Sequence, residues 1–237
     1  MKCLVLLFIC IIGAAAFISN EGEKGKARMR IPRQILIGMT ARFTELVNKV
    51  IKSCKDNGLS DEDSQKLEIT FKNMTTCFSK KQLFLLSKDD FIKNIVDCSV
   101  KAKDEARKCL PDEQKWFPRF ALELAKSMVN FMYDDQKILQ AEIPICMIRF
   151  EDFDVQLSYM QCLLDAKGPQ SINQEDNGGI PQSKKEFCRK FLSSALCFDQ
   201  TLKANCEMSP SLVKFINDFV KAKEKPCNDE TEDNFSY

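Results

Sequence analysis

Apolar residues recur at steps of three and four along most of the chain, the spacing of a buried helix face rather than of a strand. From about Ile35, the residues Leu36, Met39, Phe43, Leu46, Val47, Val50 and Cys54 predict a first helix. Asn57-Gly58 ends it, because glycine takes the left-handed stop without a side-chain penalty. Ser60 followed by Asp61, Glu62 and Asp63 reads as an N-cap with acids in the first turn, where the helix dipole favours them. That second helix carries Leu67, Phe71, Met74, Cys77 and Phe78 on one side. Ser87 with Asp89-Asp90 caps a third, bearing Phe91, Ile95, Cys98, Ala102 and Cys109 and stopped at Leu110-Pro111. A fourth runs through Phe120, Leu124, Ala125, Met128, Val129 and Met132.

Between Asp134 and Phe153 the pattern weakens, since Pro144 interrupts a mixed apolar run. A further helix is expected to bury Val155, Leu157, Tyr159, Cys162 and Leu163 and to end before Gly168-Pro169. Pro169 to Gln182, with Asn177-Gly178-Gly179 and Pro181, reads as a linker. Ser183-Lys184-Lys185-Glu186 is a capping box for the next helix. Ser209-Pro210 opens the last, with Leu212, Val213, Phe215, Ile216 and Val220 expected inside. Two-residue alternation is not sustained anywhere, so the fold class is all-α.

The flanks are different. Cys3 to Ile12 is an apolar run behind Lys2, followed by Gly13-Ala14-Ala15-Ala16, which predicts a signal peptide over 1–16 cleaved before Phe17. The run is too short for a spanning helix, and no later segment is long and apolar enough for one. Lys24, Lys26, Arg28, Arg30 and Arg33 make 17–34 a flexible basic arm. Residues 35–227 then form a single helical domain, and 228–237 an acidic disordered tail. The expected location is extracellular.

Of the 12 cysteines, Cys3 and Cys10 lie in the leader, leaving an even set: Cys54, Cys77, Cys98, Cys109, Cys146, Cys162, Cys188, Cys197, Cys206 and Cys227. Outside the cell an even set reads as a disulfide framework, and the expected architecture is a disulfide-crosslinked multi-helix bundle. Helix geometry prunes the pairings. Cys98 and Cys109 share one predicted helix at roughly 16 Å, far beyond the roughly 7 Å limit for bridged Cα atoms. Eleven steps of about 100° return them to one face, so both should staple the same side of that helix, to one neighbour. Cys188 and Cys197, nine apart, fall on roughly opposite faces and should hold their helix from both sides. Asn73-Met74-Thr75 and Asn234-Phe235-Ser236 add glycosylation acceptors at Asn73 and Asn234.

Val50 to Gly58 (VIKSCKDNG), Thr76-Cys77-Phe78, the Asp97-Cys98 to Cys109 helix, Gln161-Cys162 and the Cys188, Cys197, Cys206, Cys227 series together resemble the insect 27 kDa haemolymph glycoprotein family. That resemblance implies a secreted, cysteine-rich helical protein of haemolymph and carries over no active site.

Chemistry is sparse. There is no histidine, which removes the usual general base near neutral pH and with it Ser-His-Asp and Cys-His arrangements. The acidic clusters Asp89-Asp90, Asp134-Asp135 and Glu151-Asp152-Asp154 sit at expected helix starts, where acids complement the dipole. Asn173 to Gly178 imitates the first half of a calcium loop, but the twelfth position is Lys184, not a bidentate acid. The cysteines lack the short spacings of zinc sites. With Lys2 removed, cationic and acidic residues balance, so nothing steers the chain toward nucleic acid or a charged membrane. The chain therefore reads as non-enzymatic, with no cofactor and no metal. Its 18 Phe and 9 Met are core formers first. They leave two functional expectations: carriage of a small apolar ligand, or an interaction, immune or venom-type effector role toward an extracellular protein. A closed apolar cavity of about 300 Å³ or more separates the two.

Overall fold

The computed structural model describes residues 33–79, 83–167, 180 and 183–229, and no strand occurs among them. The signal peptide, most of the basic arm, Asn173–Gly178 and Asn234 lie outside the described residues. The chain is a disulfide-crosslinked all-α bundle. Helix α1 is Arg33–Asp56, α2 Asp61–Ser79, α3 Lys88–Cys109, α4 Phe117–Asp134, α7 Phe153–Lys167, α8 Lys184–Asn205 and α9 Pro210–Glu224. The weak stretch before Phe153 resolves into two short helices, α5 (Gln136–Ala141) and α6 (Ile143–Met147), and a 3₁₀ turn (Ile148–Glu151). Pro144 does not break a helix there. It starts one, in the first turn where its missing N–H costs nothing.

The end signals work by ordinary capping chemistry. The hydroxyls of Ser60, Ser87, Ser183 and Ser209 accept from the N–H of Asp63, Asp90, Glu186 and Leu212 at 3.0–3.3 Å. Gly58 has φ +96°, Leu59 N–H donates to Cys54 O, and Gly58 N–H donates to Lys55 O, the paired bonds of a left-handed helix stop. Asp134 departs from the expectation, because it ends α4 instead of starting a helix. An acid is unfavourable at a C-terminus, and the Lys88 ammonium offsets it at 2.9 Å.

Packing proceeds in sequence across the molecule. α1 and α2 lie on α3, α3 on α4, α4 on α9, α9 on α8, and α8 on α7. Phe91 and Ile95 of α3, Leu124 and Val129 of α4, Phe187 and Phe191 of α8, and Phe215 and Ile216 of α9 belong to one apolar core. Gln114 ties three segments of that core: its carboxamide oxygen accepts from Ser53 on α1, and its amide donates to Ile180 O at 2.8 Å. A buried amide with both ends bonded escapes the roughly 1–3 kcal/mol that an unmet polar group costs.

All ten cysteines are paired: Cys54–Cys109, Cys77–Cys98, Cys146–Cys206, Cys162–Cys197 and Cys188–Cys227. Cα separations of 4.9–5.8 Å lie within the range that a bridge spans. Cys98 and Cys109 staple α3, but to two neighbours and not one. Cys98 reaches α2 and Cys109 reaches α1, because those helices cross α3 at different heights. Cys188 and Cys197 hold α8 from both sides, toward the end of α9 and toward α7. Asn228 and Asp229, expected in the tail, are bonded to the bundle: Asn228 N–H donates to Glu224 O and the Asp229 carbonyl accepts from Lys184 at 2.6 Å.

Non-reducing peptide mapping should return these five pairs. A Cys98–Cys109 or Cys188–Cys197 peptide would contradict continuous α3 and α8. Replacing Cys77 and Cys98 together by Ala should lower the unfolding free energy in urea by about 3 kcal/mol, as expected for releasing a loop of 21 residues. Helical circular dichroism should be retained.

Candidate functional site

An apolar cleft of about 90 Å³ lies between α1, α2, α3 and α4, walled by Val50, Phe71, Met74, Phe78, Ile95 and Phe117. Small-molecule pockets run from about 300 Å³ upward. Among the described residues this cleft is therefore too small for the ligand that the carrier expectation requires. Further aromatic residues pack against one another. Trp116, Phe117 and Phe120 meet Phe187 at centroid distances of 5.2–6.2 Å, and Phe187 stacks on Phe191 at 5.5 Å. A second group joins Phe131, Phe215 and Phe219, and runs through Phe198 to Phe150.

Lys223 sits where the two aromatic groups meet. It is 1% exposed, with Nζ 4.2 Å from the Phe191 ring centre, 5.2 Å from that of Phe219, and 3.3 Å from Ser194 Oγ. Ser194 in turn donates to Phe191 O. No carboxylate of the described residues forms an ion pair with it. Two ring faces stabilise a desolvated cation by about 2 kcal/mol each. Removing an unpaired ammonium from water costs several kcal/mol. Desolvation prevails, and the Lys223 amine is pushed well below the ordinary lysine range. The sequence contained a signal for it: Lys223 continues the Leu212, Phe215/Ile216, Phe219 face by one more turn.

Polar clusters elsewhere are structural. Glu142 accepts from Ser209 and Ser211, which holds its carboxyl below the usual range and ties α9 to the α5–α6 corner. Lys214 bridges the buried Asp135 at 2.9 Å and Asp218 at 2.6 Å, and these hydrogen bonds raise its ammonium above the lysine range. Asp89 and Asp90 lie exposed at the start of α3, and Asp152 accepts from the Asp154 N–H at the start of α7. Among the described residues no group of three or more His, Cys, Asp or Glu side chains is placed to hold a metal ion. No helix among them is long and apolar enough to cross a membrane. Asn73 lies at an exposed position on α2.

The outer face of the C-terminal half is the feature that sequence reasoning missed. Leu157, expected in the core, is 56% exposed, as are Phe153 at 74% and Leu164 at 53%. Val213 on α9 also faces solvent. On α7 the covered side is marked by the buried Val155, by Tyr159 against the Phe150 ring and by Cys162 bridged to Cys197. At about 100° per residue, Phe153, Leu157, Met160 and Leu164 fall on the opposite side within roughly 60° of arc. Their 4-3-4 spacing was visible in the sequence. Which of the two apolar stripes would be covered was not.

Lys223→Met should stabilise the fold by on the order of 1–3 kcal/mol at pH 7, because it removes a buried amine of similar volume. The wild type should also gain stability as pH rises from the depressed folded-state range toward about 10, where the unfolded chain binds the extra proton. The variant should lose that part of the slope, read by urea unfolding at pH 7 and 9.5. Comparison with family models, with curated proteins and with solved structures finds no match to this chain.

Proposed function

We infer that the protein is an exported extracellular helical glycoprotein, acting without catalysis through protein contacts on its surface. The observation that carries this reading is the contrast between a filled interior and a bared apolar face. Among the described residues the aromatic side chains pack against one another and the apolar cleft between α1, α2, α3 and α4 holds about 90 Å³, while Phe153, Leu157 and Leu164 point outward. Exposed apolar groups of that size cost free energy unless a partner covers them. Five crosslinks support the extracellular assignment, since such bridges persist in oxidising compartments. Export rests on the 1–16 leader pattern, and glycosylation on the accessible Asn73 acceptor. Membership of the insect 27 kDa haemolymph glycoprotein family is proposed on the cysteine-centred motifs alone.

The full chain, expressed in insect cells, should appear in the medium beginning at Phe17. Asn73→Gln should remove glycan mass from it. Native mass spectrometry with lipid extraction should show a protein free of apolar cargo. A stoichiometric apolar ligand would sink the interaction reading in favour of carriage, and retention inside the cell would remove the export assignment.

A further inference from the structure

Helix α7 carries two apolar stripes, and among the described residues only one is covered. On the first, Val155 is buried, Tyr159 meets the Phe150 ring, and Cys162 is bridged to Cys197 on α8, against which α7 packs. Phe153, Leu157, Met160 and Leu164 form the second, with the alternating 4-3-4 steps of a coiled-coil seam. That spacing matches the knobs of one helix to the holes of another. Ile145 and Ile148, one turn apart in the segment leading into α7, are 70% and 64% exposed. Met160 is half-buried, and bare side chains of this size present roughly 150–200 Å² each, so Phe153, Leu157, Leu164, Ile145 and Ile148 expose on the order of 500 Å² in all. A standard interface covers about 800 Å² per partner, a little over half of it apolar. Their summed area is of the size of the apolar share of one such interface.

The polar rim has a sign. Asp154 and Asp165 are eleven residues apart and share one flank of the stripe, with Ser158 and Gln161 between them. Gln161 donates to Asp165 at 2.8 Å, and Asp152 lies at the start of the same helix. None of the three acids forms an ion pair among the described residues. Arg149 is the one cation among the described side chains from Ile143 to Ala166. An acidic flank repels anionic lipid. It also opposes an antiparallel second copy, which would set one Asp154–Asp165 row beside another.

We propose, on the reading that the protein works through its surface, that the outer stripe of α7 docks an amphipathic helix of another protein whose apolar seam is flanked by Lys or Arg. The stripe supplies the apolar contact, and the Asp154–Asp165 flank selects the charge and orientation of the incoming helix.

The test uses the full chain and two synthetic helix-forming peptides of about 21 residues, three heptads with Leu at the seam, one flanked by Lys and one by Glu. Fluorescence anisotropy should show the Lys peptide binding in the range of about 1–100 µM and the Glu peptide at least about tenfold weaker. Leu157→Asp should weaken the Lys peptide by at least about tenfold with the melting temperature unchanged, because that side chain is more than half exposed. The pair Asp154→Lys and Asp165→Lys should reverse the preference between the peptides. Equal binding of both peptides, or of neither, overturns the proposal. So does a dimer in sedimentation without peptide, which assigns the face to a second copy, or capture by phosphatidylcholine–phosphatidylserine vesicles, which assigns it to a membrane. A chain that ignores both peptides and carries no apolar cargo still leaves the surface reading standing without α7 as its site.

Discussion

Helix α8 is held on opposite faces, by Cys197 to Cys162 on α7 and by Cys188 to Cys227 beyond α9, and the C-terminal half is ordered around that constraint. A helix bridged on one side can still roll on its neighbour. One bridged on both sides cannot, and its remaining faces are assigned. Phe187 and Phe191 then point to Trp116, Phe117 and Phe120, joining this half to α4. The bridges limit the unfolded chain while the rings supply burial, so the two effects act on different sides of the same equilibrium.

That arrangement also explains the two anomalies of the molecule. α9 lies between α4 and α8, so its Leu212, Phe215, Ile216 and Phe219 face is buried, and Lys223 goes under with it. Two ring faces and one hydroxyl do not replace water around an ammonium. α7 is in the reverse position, with α8 against one of its faces and bare apolar side chains on the other. Its second stripe has nothing from the described chain to cover it. One polar group is buried and one apolar row is bare, and both follow from where the helices stand in the stack.

Much of the architecture was legible. Ser60, Ser87, Ser183, Ser209, Gly58 and Pro111 mark helix ends through local bonds that each segment makes by itself. The separation of Cys98 from Cys109, and of Cys188 from Cys197, follows from helical rise alone. What the periodicity could not decide was the partner of each face. Leu157 and Val213 obey the helical spacing as well as Leu124 or Ile216 do, yet they are exposed because no helix of the described residues covers their side. Cys109 could not be matched to Cys54 by counting, since the crossing height of α1 on α3 is a tertiary fact.

The sequence by itself therefore determined the all-α class, the cap positions and which cysteine pairs were impossible, all of them governed by contacts within about four residues or by the rigid rise of a helix. The tertiary structure alone decided the five pairings, the burial of Lys223 and the bareness of the α7 stripe. Each of these depends on which helix lies beside which, a matter of long-range packing that no local spacing encodes.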